Sequence, residues 1–151
     1  MPTPRDVAPE LLIEKLAEYL RSNIPETAPP QWAKYVKTGV QAERMPQEME
    51  WWYSRSASML RKIYLEGPVG ISKLRKEYGG RFKKKHHPEH FKRGSGAIVR
   101  TILKQLEKAK LVQTVNKKGR ILTDEGKGLL NRIAKDAKSE LEKTIPELKK
   151  Y

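Results

Sequence analysis

The chain has no cysteine, so neither disulfides nor thiolate metal sites can carry its fold or its chemistry. Aspartate occurs only at Asp6, Asp124 and Asp136, and no acidic pair is placed to converge on a metal or to serve as acid and base. No catalysis is expected. No apolar run approaches the length of a membrane span, and the first residues lack the basic-then-apolar order of a signal peptide. The expectation is a soluble, unexported protein. There is also no internal repeat. Hydrophobic residues make up only 37% of the 151, against 33% charged, which predicts one domain with a modest core and heavily charged helices.

What the chain has in excess is positive charge. The net charge is +14, and it is unevenly spread. Residues 1–49 hold six Lys/Arg against seven Asp/Glu, whereas residues 73–104 hold eleven against two. Clustering of this kind is the electrostatic footprint of a polyanion partner. Acidic lipid is the competing polyanion, but the cluster lacks a long amphipathic helix with a bulky apolar face to insert. Nucleic acid fits better.

The stretch Glu50–Leu65, EWWYSRSASMLRKIYL, is the centre of the chain. At 100° per residue, Trp52, Ser56, Met59, Leu60 and Ile63 share one side, flanked by Tyr53, Ala57 and Tyr64. Ser54, Arg55, Ser58, Arg61 and Lys62 share the other, and Trp51 falls inside that basic sector. One face can dock a core while the other offers cations and hydroxyls to an anion. Gly67-Pro68 stops the helix.

Around it the chain reads in order. Residues 1–5 carry no pattern and are expected to be loose. Ala8–Arg21 is a helix with Leu12, Ile13, Leu16, Tyr19 and Leu20 at helical spacing, and Ser22–Pro30 is a connector. Gln31–Thr38 reads as a short helix with Trp32, Tyr35 and Val36 inward and Gly39 ending it. Val40–Met45 is a polar loop leading to Pro46. Ile71–Tyr78 is a short helix closed by Gly79-Gly80, and Arg81–Gly94 a basic loop. Ser95–Lys110 is an amphipathic helix with Ile98, Val99, Ile102, Leu103, Leu106 and Ala109 inward. Leu111–Val115 and Arg120–Thr123 form a hairpin about Asn116–Gly119. Asp124–Lys143 is the last helix, ended by Pro146.

Helix, short helix, loop, helix, hairpin, helix is the order of a winged helix-turn-helix, with Lys117, Lys118 and Arg120 at the wing tip. The fold class is therefore all-α, a bundle around a central amphipathic helix with a small β-hairpin wing. Residues 8–49 cover a winged-helix-like core at 50–143, and 79–94 is the basic loop. A DNA-binding transcription regulator would share this order. However, Ser95–Lys110 opens on Gly94, Ser95, Gly96 and Ala97, with no Asn, Gln or Arg to grip a base edge before Arg100. Glycines beside a helix start let a phosphate reach backbone N–H groups. The surface reads as a backbone binder.

Several motifs resemble one family, the archaeal and eukaryotic small-subunit ribosomal protein numbered nineteen, the "e" type. They are PPQWAKYVKTG (29–39), EWWYSRSASMLRKIY (50–64), GPVGISKLRKEYGGRF (67–82), PEHFKRGSGAIVR (88–100), LKQLEKAKLV (103–112) and GRILTDEG (119–126). They occur in family order and cover nearly the whole chain. The chain departs from the family pattern at 81–88, where Phe82, three lysines and two histidines stand, and at Thr101, where many relatives carry a second basic residue.

The resemblance implies a helical bundle bound to ribosomal RNA in the head of the small subunit, with a part in maturation of the subunit precursor. It carries RNA contact onto Trp51, Arg55, Arg61 and Lys62, onto Gly79, Gly80 and Arg81, and onto Ser95, Gly96 and Arg100, with Lys37 as a further candidate. The basic cluster adds Lys83, Lys84, Lys85, Arg93 and Lys104. The three lysines are expected to order only on RNA. Small-subunit RNA and neighbouring subunit proteins are the implied partners of a chain that is a monomer when free. No cofactor is expected. His86, His87, Glu89 and His90 invite a metal reading, but the four-residue spacing needs a helix and Pro88 interrupts it, so no metal site is assigned.

Overall fold

A computed structural model of the chain describes residues 3–37, 49–82 and 88–145. The expectations placed on Gly39, Val40–Met45, Pro46, Lys83–Lys85, His86, His87 and Pro146 lie outside the described residues. Where apolar residues recur at three- and four-residue spacing, helices form. These are α1 (Pro9–Asn23), α2 (Glu50–Glu66), α3 (Ile71–Glu77), α4 (Gly96–Lys108) and α5 (Asp124–Thr144). Two antiparallel pairs accompany them: β1 (Gly80–Phe82) with β2 (His90–Lys92), and β3 (Val112–Val115) with β4 (Gly119–Leu122).

Helix α2 packs against α1, α5 and β4. Its inward stripe is the expected one, with Trp52, Ser56, Ala57, Met59, Leu60 and Ile63 all buried. Leu12, Leu16 and Leu20 of α1 meet it from one side and the α5 stripe Leu129, Leu130, Ile133, Ala134 and Ala137 adds to the same core. Ser56 is buried without penalty because its hydroxyl donates to the Trp52 carbonyl 2.9 Å away, one turn back. Trp52 is fully buried and its indole N–H donates to Gln105 Oε1 at 2.9 Å. Gln105 in turn donates to the Ala28 carbonyl at 2.7 Å, tying α2, α4 and the N-terminal connector through two side chains.

The two later helices begin on capping side chains. Ser95 Oγ accepts from the Ile98 N–H at 3.3 Å at the start of α4. Thr123 Oγ1 accepts from the Gly126 N–H at 3.1 Å at the start of α5, with Asp124 and Glu125 in its positive first turn. The wing is held to the body by an exchange between Val69 and Arg120, N–H to carbonyl at 3.1 and 2.8 Å. This contact demands Gly119: its φ is +110°, and a Cβ there would strike the Val69 carbonyl.

Three expectations are corrected. Residues 31–35 form a 3-10 helix, whose three-residue turn places Ala33 inward and leaves Trp32 and Tyr35 38% and 76% exposed. Tyr35 therefore points outward, Trp32 lies against the core edge with part of its ring exposed, and Val36 is partly buried as expected. Residues 4–6 are not loose. They form a 3-10 turn with Pro4 buried, closed by Thr3, whose N–H and hydroxyl donate to Asp6 Oδ2 at 2.9 and 3.1 Å. These bonds hold the Asp6 carboxyl below its ordinary pKa. Finally, both flanks of the expected basic loop are strands, paired as Gly80 with Lys92, Arg81 with Phe91 and Phe82 with His90.

Candidate nucleic-acid interface

The basic sector of α2 is not open to solvent in full, because the end of α3 lies over it. Tyr78 follows α3, and the Arg55 guanidinium sits 4.3 Å from its ring centroid. The Tyr78 hydroxyl donates to Ser58 Oγ at 2.7 Å. Lys62 donates to Glu77 Oε2 at 2.8 Å, which holds the Glu77 carboxyl below its ordinary pKa. Burial lowers the Arg55 guanidinium from its ordinary value and pushes the Tyr78 phenol up to about 12. An arginine still keeps its charge under such a shift. Arg55 and Lys62 are thus the cations that seat α3 on α2, half-buried within the chain and not freely presented. Arg61 is also half-buried, and its Nε has no hydrogen-bond partner among the described residues.

Trp51 is partly buried, edge-on to Trp52 with centroids 5.4 Å apart, and its indole N–H is enclosed without a partner among the described residues. Trp32 packs edge-on to Trp52 from another side at 5.5 Å. The three indoles are one cluster, so Trp51 belongs with the core edge.

The freely exposed cations gather elsewhere, where α3, the β1–β2 hairpin and α4 meet. Arg75 sets this junction. Its carbonyl accepts from the Gly94 N–H at 2.7 Å, and its Nε donates to the Gly94 carbonyl at 2.8 Å. The clamp fixes buried Gly94 immediately before the Ser95 cap, and so fixes where α4 begins. A cleft beside it is lined by Lys37, Arg75, Arg93, Ser95 and Ile98, among others. Lys37, Arg93 and Ser95 are exposed there. Arg100 folds back over the same helix start, because a Cβ on Gly96 would lie 2.8 Å from its Nη1. Lys104 is exposed one turn further along α4, and Arg81 is exposed on β1. Gly80 pairs with Lys92 in the ladder, and Gly79 lets the hairpin lie against it: a Cβ there would meet the Lys92 carbonyl and come 2.9 Å from Phe91 Cζ.

The structure therefore brings Lys37, Arg93, Ser95, Gly96 and Arg100 to one end of α4, and neither Trp51 nor Arg61 lines the cleft there. Sequence reasoning missed Arg75, whose role shows only through its contact with a glycine nineteen residues away. It also missed Lys73, Lys76 and Phe91, which line a second cleft sharing Arg93 with the first. Among the described residues, no three His, Asp or Glu side chains gather as a metal site, and no helix is long and apolar enough to cross a membrane.

Helix order, wing and basic junction define the class: an all-α protein of winged helix-turn-helix type with a cationic face. Comparison with known proteins gives the family. The family model described as ribosomal protein S19e matches residues 3–140. The chain is 44% identical over 147 residues to the small ribosomal subunit protein eS19 of Aeropyrum pernix, covering 97% of this chain and 96% of that one. It is 43% identical to the protein of the same name from Haloarcula marismortui, covering 100% and 99%. The like-named Thermoplasma acidophilum protein is 40% identical, covering 96% and 95%. The chain belongs to the ribosomal protein S19e family. That is a family of ribosomal components and not of enzymes, and it leaves the transcription-regulator reading without support.

Proposed function

We propose that this protein is a structural constituent of the small ribosomal subunit, working in the cytoplasm on the ribosome. It binds ribosomal RNA in the subunit head mainly through phosphates, beside neighbouring subunit proteins, and is needed for maturation of the subunit precursor. The observation that carries the RNA reading is the convergence of Lys37, Arg93, Ser95 and Arg100 at the start of α4. A thirteen-residue helix presents its positive dipole end there, with exposed cations beside it. No side chain in its first turn is built to read a base edge. The described residues form one core cluster, so the scaffold is preformed and the partner's backbone shape is matched against a fixed surface.

Within this reading Arg55 and Lys62 act mainly by holding the α2–α3 seat under the interface, Trp51 supports the core edge beside Trp52, and Arg61 is a further RNA contact. Arg81, beside Gly79 and Gly80, extends the cationic edge and Lys104 continues it along α4, and Lys83, Lys84 and Lys85 are proposed as further RNA contacts.

The test is co-sedimentation with small subunits, with parallel binding to small-subunit RNA and to duplex DNA. The protein should travel with the subunit, be stripped by high salt, and prefer the RNA. Equal or tighter binding to duplex DNA, or absence from purified subunits, would sink the reading.

A further inference from the structure

Phe91 is held in place yet left in water. It stands in the middle of β2 opposite Arg81, and 52% of it is exposed. Its ring edge rests on Gly79, where only the missing side chain makes room. The ring helps line a cleft with Ser72, Lys73, Lys76, Glu77 and Arg93. Three cations thus stand against one carboxylate, and Glu77 is already bound by Lys62 at 2.8 Å. Lys73 is 3.3 Å from Glu66 in a solvent-exposed pair that exchanges easily. Lys76 and Arg93 have no ion pair among the described residues.

An apolar ring ringed by free cations is poorly matched to an apolar protein surface, and it is also poorly matched to an RNA duplex, which shows backbone but no base face. It suits an unpaired nucleotide, whose base stacks on the ring while its phosphates meet the cations. We propose that Phe91 is a stacking platform for one unpaired base of the RNA, with Lys76 and Arg93 holding the adjoining phosphates. This rests on the RNA-binding reading above and adds to it a contact that a pure backbone binder would lack.

The test uses the full chain and two RNA probes. One is a stem closed by an unpaired uridine loop that carries a fluorescent adenine analogue; the other is the same stem as a blunt duplex. The protein should bind the looped RNA more tightly and quench the analogue. Phe91→Ala should weaken looped-RNA binding about tenfold, the scale of one base–aromatic stack, abolish the quench and leave duplex binding unchanged. Phe91→Tyr should keep all three. If Phe91→Ala weakens both RNAs alike, the ring merely supports the hairpin and the proposal falls. It falls too if the quench survives. Unchanged RNA binding with reduced uptake into small subunits would assign the ring to a protein neighbour instead. Duplex binding without any Phe91 effect removes the platform alone, whereas binding to neither RNA removes the backbone reading as well.

Discussion

Tyr78 shows how a single side chain links the fold to the interface. Its ring accepts Arg55 on one face, its hydroxyl reaches Ser58, and its backbone follows α3 into Gly79 and the hairpin. Burial keeps its phenol protonated up to about 12, against an ordinary 10.0. The unfolded phenol therefore ionises first as pH rises. The neutral native tyrosine contributes stability that is complete below about pH 10 and is lost as pH climbs to about 12, roughly 2 kcal/mol in all. Tyr78→Phe removes that dependence. It should cost about 1 kcal/mol near neutrality through the lost hydrogen bond, and then show a shallower alkaline decline in urea titrations. Parallel alkaline limbs for the two proteins would contradict this account. The sequence puts Tyr78 at the end of a short helix but cannot show that Arg55 lies on it. A helical wheel sorts residues by face without saying what covers the polar face.

At the scale of elements, legibility follows the length and regularity of the apolar pattern. Helix α4 carries Ile98, Val99, Ile102, Leu103 and Leu106 at strict helical spacing, and all five are buried as read. Residues 31–35 are too short to distinguish a three-residue from a 3.6-residue turn, and the three-residue turn is what carries Tyr35 outward. Strands β1 and β2 span three residues each. Lys92 and His90 on such a strand give no alternation to detect, and their pairing depends on Gly79 and Gly94 at its base. The wing was legible because its turn chemistry is local. Gly119→Ala tests that element: its Cβ would collide with the Val69 backbone at an unfavourable positive φ, and the loss should be about 2 kcal/mol or more. Gly128 in α5 has open space around it, and Gly128→Ala should stabilise by about 0.5–1 kcal/mol. Equal effects of the two substitutions in thermal melts would show that the wing is not docked on Val69.

For the whole molecule, the uneven charge of the sequence maps onto one end of the fold. The described cations of residues 73–104 lie on α3, the hairpin and α4, while α1 carries Glu10, Glu14 and Glu18 along its own exposed side. The candidate RNA face was legible as a stretch of sequence. Its division into an internal set (Arg55, Lys62) and an outward set (Arg93, Arg100) was not, because that division is made by α3 folding back on α2. Contact with several phosphates makes affinity fall with salt, by about 0.7–0.9 log units per phosphate for each tenfold rise.

The decisive measurement is the slope of log affinity for small-subunit RNA against log salt, for the native chain and for Arg93→Glu/Arg100→Glu. A control, Lys135→Glu, alters an exposed cation on α5. The account predicts a slope shallower by roughly one to two units in the double variant, unchanged helical circular dichroism, and native behaviour in the control. A double variant with the native slope and affinity, or a control that loses as much, would place the RNA on another face.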